Sequence, residues 1–395
     1  MGEMSVIELP EYETIEYNKD EIPEPIGKHI FDKYSNQVDI EFPTYKSGNK
    51  WRLTNKGWAG YIPLSESQGV YLKPKVNIKD IFRMWEYAYN LRSFKFLDGQ
   101  MECDTLEGFY ERLASLLADL VIERGRKGYY KAYKDENSEL SYVRGRIDIS
   151  NMVRKSWQPK IPCNYQELSL DIFENQLITW TLYNILRMGV CGEKVLLKIR
   201  TAYRNIQSVT SLKPFYPKDC NNNIYNRLNE DYRMIHMLCK FFLEHSGPSI
   251  NAGQTVMLPF IVNMPKLYEM FVAEWLKENL PTSIKMKTQE SIRIGKYEEL
   301  SFKIDIVLYD ANTMNPIAVL DTKYKNPDIP SQTDINQIAT YALSINVKKA
   351  ILVYPAHLNR QFTWNTQGIT VQSQIFDISK DVNTSGQTFI NLLLN

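Results

Sequence analysis

The stretch that most constrains this chain is residues 302–325, FKIDIVLYDANTMNPIAVLDTKYK. It reads as two strands, Phe302 to Tyr309 and Ile317 to Tyr324, joined by a polar turn that ends in Pro316. Both strands are apolar enough to be buried, yet Asp305 interrupts the first and Asp321 the second. Lys323 follows Asp321 by two places, so the two side chains share a face. Charges at the edge of a core are costly unless they are paired or bound to metal.

Two converging carboxylates repel and raise one pKa unless a cation keeps them ionised. Mg²⁺ suits such a set, because it takes hard oxygen ligands and keeps positions open for phosphate and water. A lysine beside them can orient or deprotonate an attacking water, or counter charge developing on phosphorus. Asp, fifteen intervening residues, then Asp-x-Lys therefore fits phosphodiester cleavage. A purely structural Asp–Lys pair has the same spacing.

The flanks extend the pattern. Asn263-Met264-Pro265 opens a helix, with Asn263 as N-cap and a stripe of Leu267, Phe271, Val272, Trp275 and Leu276. Glu269 lies close to that stripe, either reaching a metal or simply solvated. Ser331 is the candidate N-cap of a second helix, in which Asp334 suits the dipole and Gln337 and Tyr341 share a face. Lys349 to Tyr354 then returns as a buried strand.

Helix with Glu, strand with Asp, strand with Asp-x-Lys, helix with Gln-x-x-x-Tyr resembles the PD-(D/E)xK nuclease superfamily. The wording Phe-Lys-Ile-Asp-Ile-Val-Leu, Val-Leu-Asp-Thr-Lys-Tyr-Lys and Asp-x-x-Gln-x-x-x-Tyr is similar to McrC, the nuclease subunit of McrBC-type modification-dependent restriction systems. The resemblance implies metal-binding carboxylates at Asp305 and Asp321, a catalytic Lys323 and an accessory ligand or water-orienting Glu269. Gln337 and Tyr341 would steady the site or touch the DNA backbone. The family often carries Pro where this chain has Ile304. Arg144-Gly-Arg-Ile-Asp148 and Ser169 to Gln176 also resemble McrC. The implied cofactor is Mg²⁺. The implied partners are double-stranded DNA and a hexameric McrB-like AAA+ GTPase, docked through the N-terminal part.

A chain of 395 residues calls for more than one core. We expect a multidomain α+β protein. Residues 1–80 read as a β-rich module, a small barrel or meander, divided by Pro, Gly, Asn and Asp. Residues 81–250 read as mainly helical, with a β-hairpin near 129–148. Residues 255–395 form the restriction-endonuclease-like α/β domain with a mixed central sheet, after a linker at His245-Ser246-Gly247-Pro248. Within the middle, Arg124, Arg126, Lys127, Lys131, Arg144, Arg146, Arg154 and Lys155 form the densest basic cluster, interleaved with Tyr129, Tyr130, Tyr133 and Tyr142. Such a cluster can track a phosphate backbone, and it can equally be a solvated face.

The net charge of +1 leaves no bulk basicity, so DNA binding would be local or partner-assisted. No GxxxxGK[ST] stretch is present, which places any nucleotide-driven motion on a partner. Five cysteines without CxxC spacing and four scattered histidines give no zinc motif or disulfide framework, as in a reducing cytoplasm. No apolar run reaches membrane length. A stand-alone nuclease and a non-catalytic activator of the AAA+ ring are the alternative readings.

Overall fold

The computed structural model describes residues 5–64, 68–89, 105–154, 157, 159–188, 190–222, 225–246, 250–252, 255–257, 259–294, 300–325, 329–356, 360–366 and 368–394. Its contacts divide the chain into two compact units, Met1–Leu106 with Ile261–Asn395, and Glu107–Phe260. Residues 81–89 thus group with both ends of the chain.

The N-terminal segment holds β1 (Ser5–Pro10), β2 (Thr14–Asn18), α1 (Glu24–Tyr34), β3 (Val38–Glu41), β4 (Lys50–Asn55), β5 (Trp58–Pro63), β6 (Gln68–Lys73) and α2 (Ile78–Ala88). In place of a barrel or a simple meander there are two sheets. One has the order β2-β4-β3, and in the other β1 runs parallel to β6, which pairs antiparallel with β5. Helix α1 escapes a sequence reading because Pro23 and Pro25 look like breakers. Pro25 falls in the first helical turn, where its missing N–H costs nothing. Gly27 lets the helix lie against Trp51, whose ring a Cβ would meet at 2.3 Å.

The second unit contains α3 (Leu106–Lys127), β7 (Ala132–Leu140), β8 (Arg146–Ile147), α4 (Ile149–Arg154), β9 (Ile161–Ser169), α5 (Phe173–Met188), α6 (Glu193–Gln207), α7 (Tyr232–Glu244), β10 (Ile250–Ala252) and β11 (Thr255–Met257). The hairpin expected near 129–148 does not form as such. β7 and β8 both pair with β9, in the order β7-β9-β8. Nine-residue β9 offers a full-length partner to β7 on one edge, leaving its other edge for β8. The Asp171 to Gln176 motif is a structural clamp. Asp171 accepts from Gln176 Nε2 (2.7 Å) and Ser211 N (2.7 Å), and Asn175 Nδ2 donates to the carbonyls of Tyr130 and Leu170. Gly247 and Pro248 of the expected linker lie outside the described residues.

The C-terminal segment adds β12 (Phe260–Asn263), α8 (Met264–Asn279), β13 (Ile284–Ile294), β14 (Leu300–Asp310), β15 (Pro316–Thr322), α9 (Gln332–Ser344), β16 (Lys349–Tyr354), β17 (Thr363–Thr366), β18 (Ile369–Ile375) and α10 (Val382–Leu394). The first of these strands joins the N-terminal sheet beside β5. The rest form a six-stranded mixed sheet of order β13-β14-β15-β16-β18-β17, with β15, β16 and β18 parallel. β16 is buried at every position from Ala350 to Tyr354, as a strand covered on both faces must be. Helix α9 closes a core that includes Val319, Ala350, Leu352 and Val371. Elsewhere Phe376 lies 5.1 Å from Phe271 and 5.0 Å from Trp275 of α8, and stacks on Phe389 of α10. Tyr87 of α2 meets Phe271 edge-on at 5.5 Å, tying the N-terminal segment to the same unit. Among the described residues no helix is long and apolar enough to cross a membrane.

Candidate active site

The two central strands are set by an ordinary turn. Asp310 accepts bonds from the N–H groups of Asn312 and Thr313, and β14 pairs antiparallel with β15 through Ile306↔Leu320 and Val307↔Val319. That register carries Asp305 and Asp321 to the same end of the pair. β15 runs parallel to β16, and Lys323 N still donates to Val353 O (2.8 Å) beyond the last strand residue. Asp321 and Lys323 therefore stand at the carboxyl ends of parallel strands, where open α/β sheets expose their sites.

Each acid has its own neighbour. Asp305 Oδ2 accepts from Thr322 N (2.9 Å) and Thr322 Oγ1 (3.0 Å). Asp321 is 2% exposed, and its Oδ2 forms an ion pair with Lys323 Nζ at 2.6 Å. Glu269, two turns into α8, accepts from Gln289 Nε2 through Oε1. Asn263 caps that helix through Lys266 N (2.9 Å). Lys323 Nζ donates to Gln337 Oε1 (3.0 Å), and Gln337 Nε2 to Tyr341 Oη (2.7 Å). The α9 face read from the sequence thus supports the lysine. Asp334, buried in the first turn and bonded to the Ser331 cap, also sits 3.9 Å from Lys323 and pairs with Lys325.

The electrostatics follow. Burial, then Asp305, pushes Glu269 up to about 7, against which the Gln289 bond and Lys303 work. Burial and Asp305 raise Asp321, with Lys323 opposing. Burial alone would lower Lys323, but Asp321, Asp334 and Asp305 outweigh it and hold the ammonium protonated. For Asp334, burial is outweighed by Lys325 and Ser331, which keep it ionised.

All six residues expected at the site are brought to it. Among the described residues, however, no three Asp, Glu, His or Cys side chains stand preassembled as a metal cage. Asp305 is turned to Thr322, Glu269 to Gln289 and Asp321 to Lys323. The donor set still fits a hard cation. Asp321 Oδ2 faces the Lys323 ammonium, and Asp305 and Glu269 each place one oxygen on a neutral donor, leaving the other for a cation. One or two carboxylates suffice for Mg²⁺ when phosphate and water complete its shell. Two cavities, of about 650 and 600 Å³, are lined by residues 71–83 with Ser379 and by residues 361–392; neither includes these side chains.

Of the eight basic residues of the cluster, three are seen in ion pairs. Arg124 pairs with Asp231 (3.4 Å) and covers the Tyr232 ring, Lys127 pairs with Glu123 (2.6 Å), and Arg144 pairs with Glu167 (3.4 Å) over Tyr165. Arg126 and Arg146 are exposed, and Lys155 lies outside the described residues. Two residues at the site escape a sequence reading. The part of Asp334 in holding both lysines is hidden by its ordinary first-turn role. Gln289 gives no signal, since a strand glutamine carries none.

Fold and site together define an α+β protein with an oxygen-rich, lysine-bearing centre at one end of the central strands of a mixed sheet. Residues 53–355 match the model of the McrBC 5-methylcytosine restriction system component family, and the chain belongs to that family. The structure is similar to a chain of the refined half-complex from a tetradecameric assembly of Thermococcus gammatolerans McrB AAA+ hexamers with bound McrC. The TM-score is 0.56 at 18% identity, over 98% of this chain and 100% of that one. A chain of the cryo-EM structure of the T. gammatolerans McrBC complex aligns at TM-score 0.43 and 18% identity, over 70% of this chain and 88% of that one. At this identity the likeness concerns the fold. No curated protein matches the chain.

Proposed function

We propose that the chain is the Mg²⁺-dependent endonuclease subunit of a McrBC-like restriction complex, with a PD-(D/E)xK site, cleaving double-stranded DNA when an AAA+ GTPase partner drives it. The observation that supports this is the grouping of Asp305, Asp321, Glu269 and a protonated Lys323 at one end of the β14–β15 pair. Asp305 and Asp321 would hold the cation, with Glu269 as accessory ligand. When bound, the cation would neutralise phosphate charge and favour an ionised water nucleophile.

The chain's own groups account for the rest. A lysine kept protonated by three acids is a poor general base. Its ammonium instead meets a non-bridging phosphate oxygen and stabilises the charge that grows there. Gln337 and Tyr341 hold that ammonium in place, and Asp334 supplies counter-charge from behind.

Docking of the AAA+ partner is proposed through residues 1–80, where Phe31 is 50% and Tyr45 99% exposed. A second surface competes. Around α4 of the other unit, Tyr142, Ile149, Val153 and Trp157 are all more than half exposed, and clustered exposed apolar side chains mark interaction sites. Because β12 pairs beside β5, deleting residues 1–80 would remove three of the four strands of that sheet and leave β12 without its partner. Charge substitutions, Phe31→Glu with Tyr45→Glu against Val153→Glu with Trp157→Glu, separate the two surfaces by loss of GTPase stimulation.

The direct test is DNA cleavage with Mg²⁺ by wild type and Lys323→Ala, each with and without partner and GTP. Cleavage by wild type only, and only with both additions, is expected. Cleavage by the wild-type chain alone makes it a stand-alone nuclease. No cleavage in any arm, with GTPase stimulation intact, makes it a scaffold.

A further inference from the structure

We infer that Gln289 is a positioning residue of the site, holding Glu269 for cation binding. The inference rests on the nuclease reading above. Gln289 has φ 53°, and among the described residues it is the one non-glycine within a strand to take the left-handed conformation. On either side, β13 pairs regularly with β14 through Thr288↔Ile306 and Glu290↔Ile304. The pairing skips Gln289 at the point opposite Asp305. A side chain other than glycine adopts this backbone at a cost, and such outliers persist where the surroundings impose them.

The consequence of the kink is visible in the side chain. Gln289 leaves the ladder and donates its amide to Glu269 Oε1 on α8. Glu269 feels Asp305 and Asp321 as repulsive neighbours. Without a donor on one oxygen, its carboxylate would swing away from them. The amide fixes one oxygen and leaves Oε2 for a ligand, while the broken pairing clears the ground beside Asp305. One residue thus serves two of the three carboxylates, through its backbone and through its side chain.

The experiment uses the full chain and Mn²⁺ as probe, with free Mn²⁺ read by electron paramagnetic resonance. Gln289→Gly deletes the amide but tolerates positive φ better than glutamine, so the fold survives. Its thermal midpoint in EDTA is expected to equal or exceed that of wild type. Mn²⁺ affinity is expected to fall about 10–100-fold, the usual effect of removing a partner that orients a metal ligand. Gln289→Glu, the same shape without the donor, should lose at least as much. With DNA and the partner, half-saturating Mg²⁺ should rise while kcat at saturating Mg²⁺ stays near wild type. Asp321→Asn is the reference for a lost ligand. If Asp321→Asn abolishes binding and Gln289→Gly binds as wild type does, the positioning role is overturned and the nuclease reading stands. If wild type itself binds no Mn²⁺, both fall.

Discussion

Glu269→Gln should make the metal-free protein more stable at pH 8, and the gain should vanish in acid. Burial and Asp305 hold Glu269 near 7 in the folded chain, against 4.5 when unfolded. The folded state therefore binds the proton more tightly. Stability from this group is fully present below about 4.5 and is lost as pH rises through about 7. That displacement, at about 1.4 kcal/mol per pH unit, is worth about 3 kcal/mol at most. The side chain is partly exposed, and solvent screening reduces the figure to about 1–3 kcal/mol. Glutamine keeps the shape and can still accept from Gln289, so the substitution removes the charge with little else. For a unit of this size, the gain corresponds to about 3–8 °C in Tm. Thermal unfolding in EDTA from pH 4.5 to 8 measures it. Saturating Mg²⁺ should reverse the order, raising wild type more than the variant. A variant no more stable than wild type at pH 8, or a gap that does not close towards pH 4.5, would refute the account of crowded carboxylates.

Three further outcomes are expected. Lys323→Met should abolish cleavage and, in EDTA at pH 8, lower stability by about 3 kcal/mol in urea unfolding, because it strands the buried Asp321; lowering the pH to 5 should recover part of this, since Asp321 is already raised. Tyr341→Phe should cost about 1 kcal/mol, one hydrogen bond from Gln337, and slow cleavage several-fold at unchanged DNA affinity. Gly386→Ala should cost about 1–3 kcal/mol, as its Cβ would meet the Trp275 ring at 2.1 Å, while Mn²⁺ binding by the folded fraction stays at the wild-type value.

The helices and strands around the site were legible because their signals are local. Asn263 and Ser331 cap the helices they were expected to cap, and the apolar runs of β14, β15 and β16 admit little besides buried strands. Helix α1 was hidden by its own prolines, whose meaning depends on falling in the first turn. Pairing order was hidden as well. Whether β7 meets β8 or β9 is settled by which edge is long enough, and composition does not encode that. The pairing of Arg124 and Arg144 was hidden because Asp231 and Glu167, their partners, lie far along the chain from them. The kink at Gln289 is a property of backbone angles, and nothing in the residue type announces it.

The arrangement also supports our proposal of a site over a structural ion pair. A structural pair needs one acid for one base, and folding favours the geometry that leaves neither charge over. Here Lys323 faces Asp321 and Asp334, while Asp334 already holds Lys325. Asp305 and Glu269 remain beside them with only neutral hydrogen-bond donors, Thr322 and Gln289. The surplus is negative, and after burial it adds to the upward displacement of both Asp321 and Glu269. Such an excess opposes folding, and a strained strand residue at the same place adds to the cost. Features that lower stability together, at one place, are what a binding or catalytic role retains against the pull of stability. A cation shared by the carboxylates would turn the same repulsion into affinity, which is why the sign of the Mg²⁺ effect on Glu269→Gln tests the site as a whole.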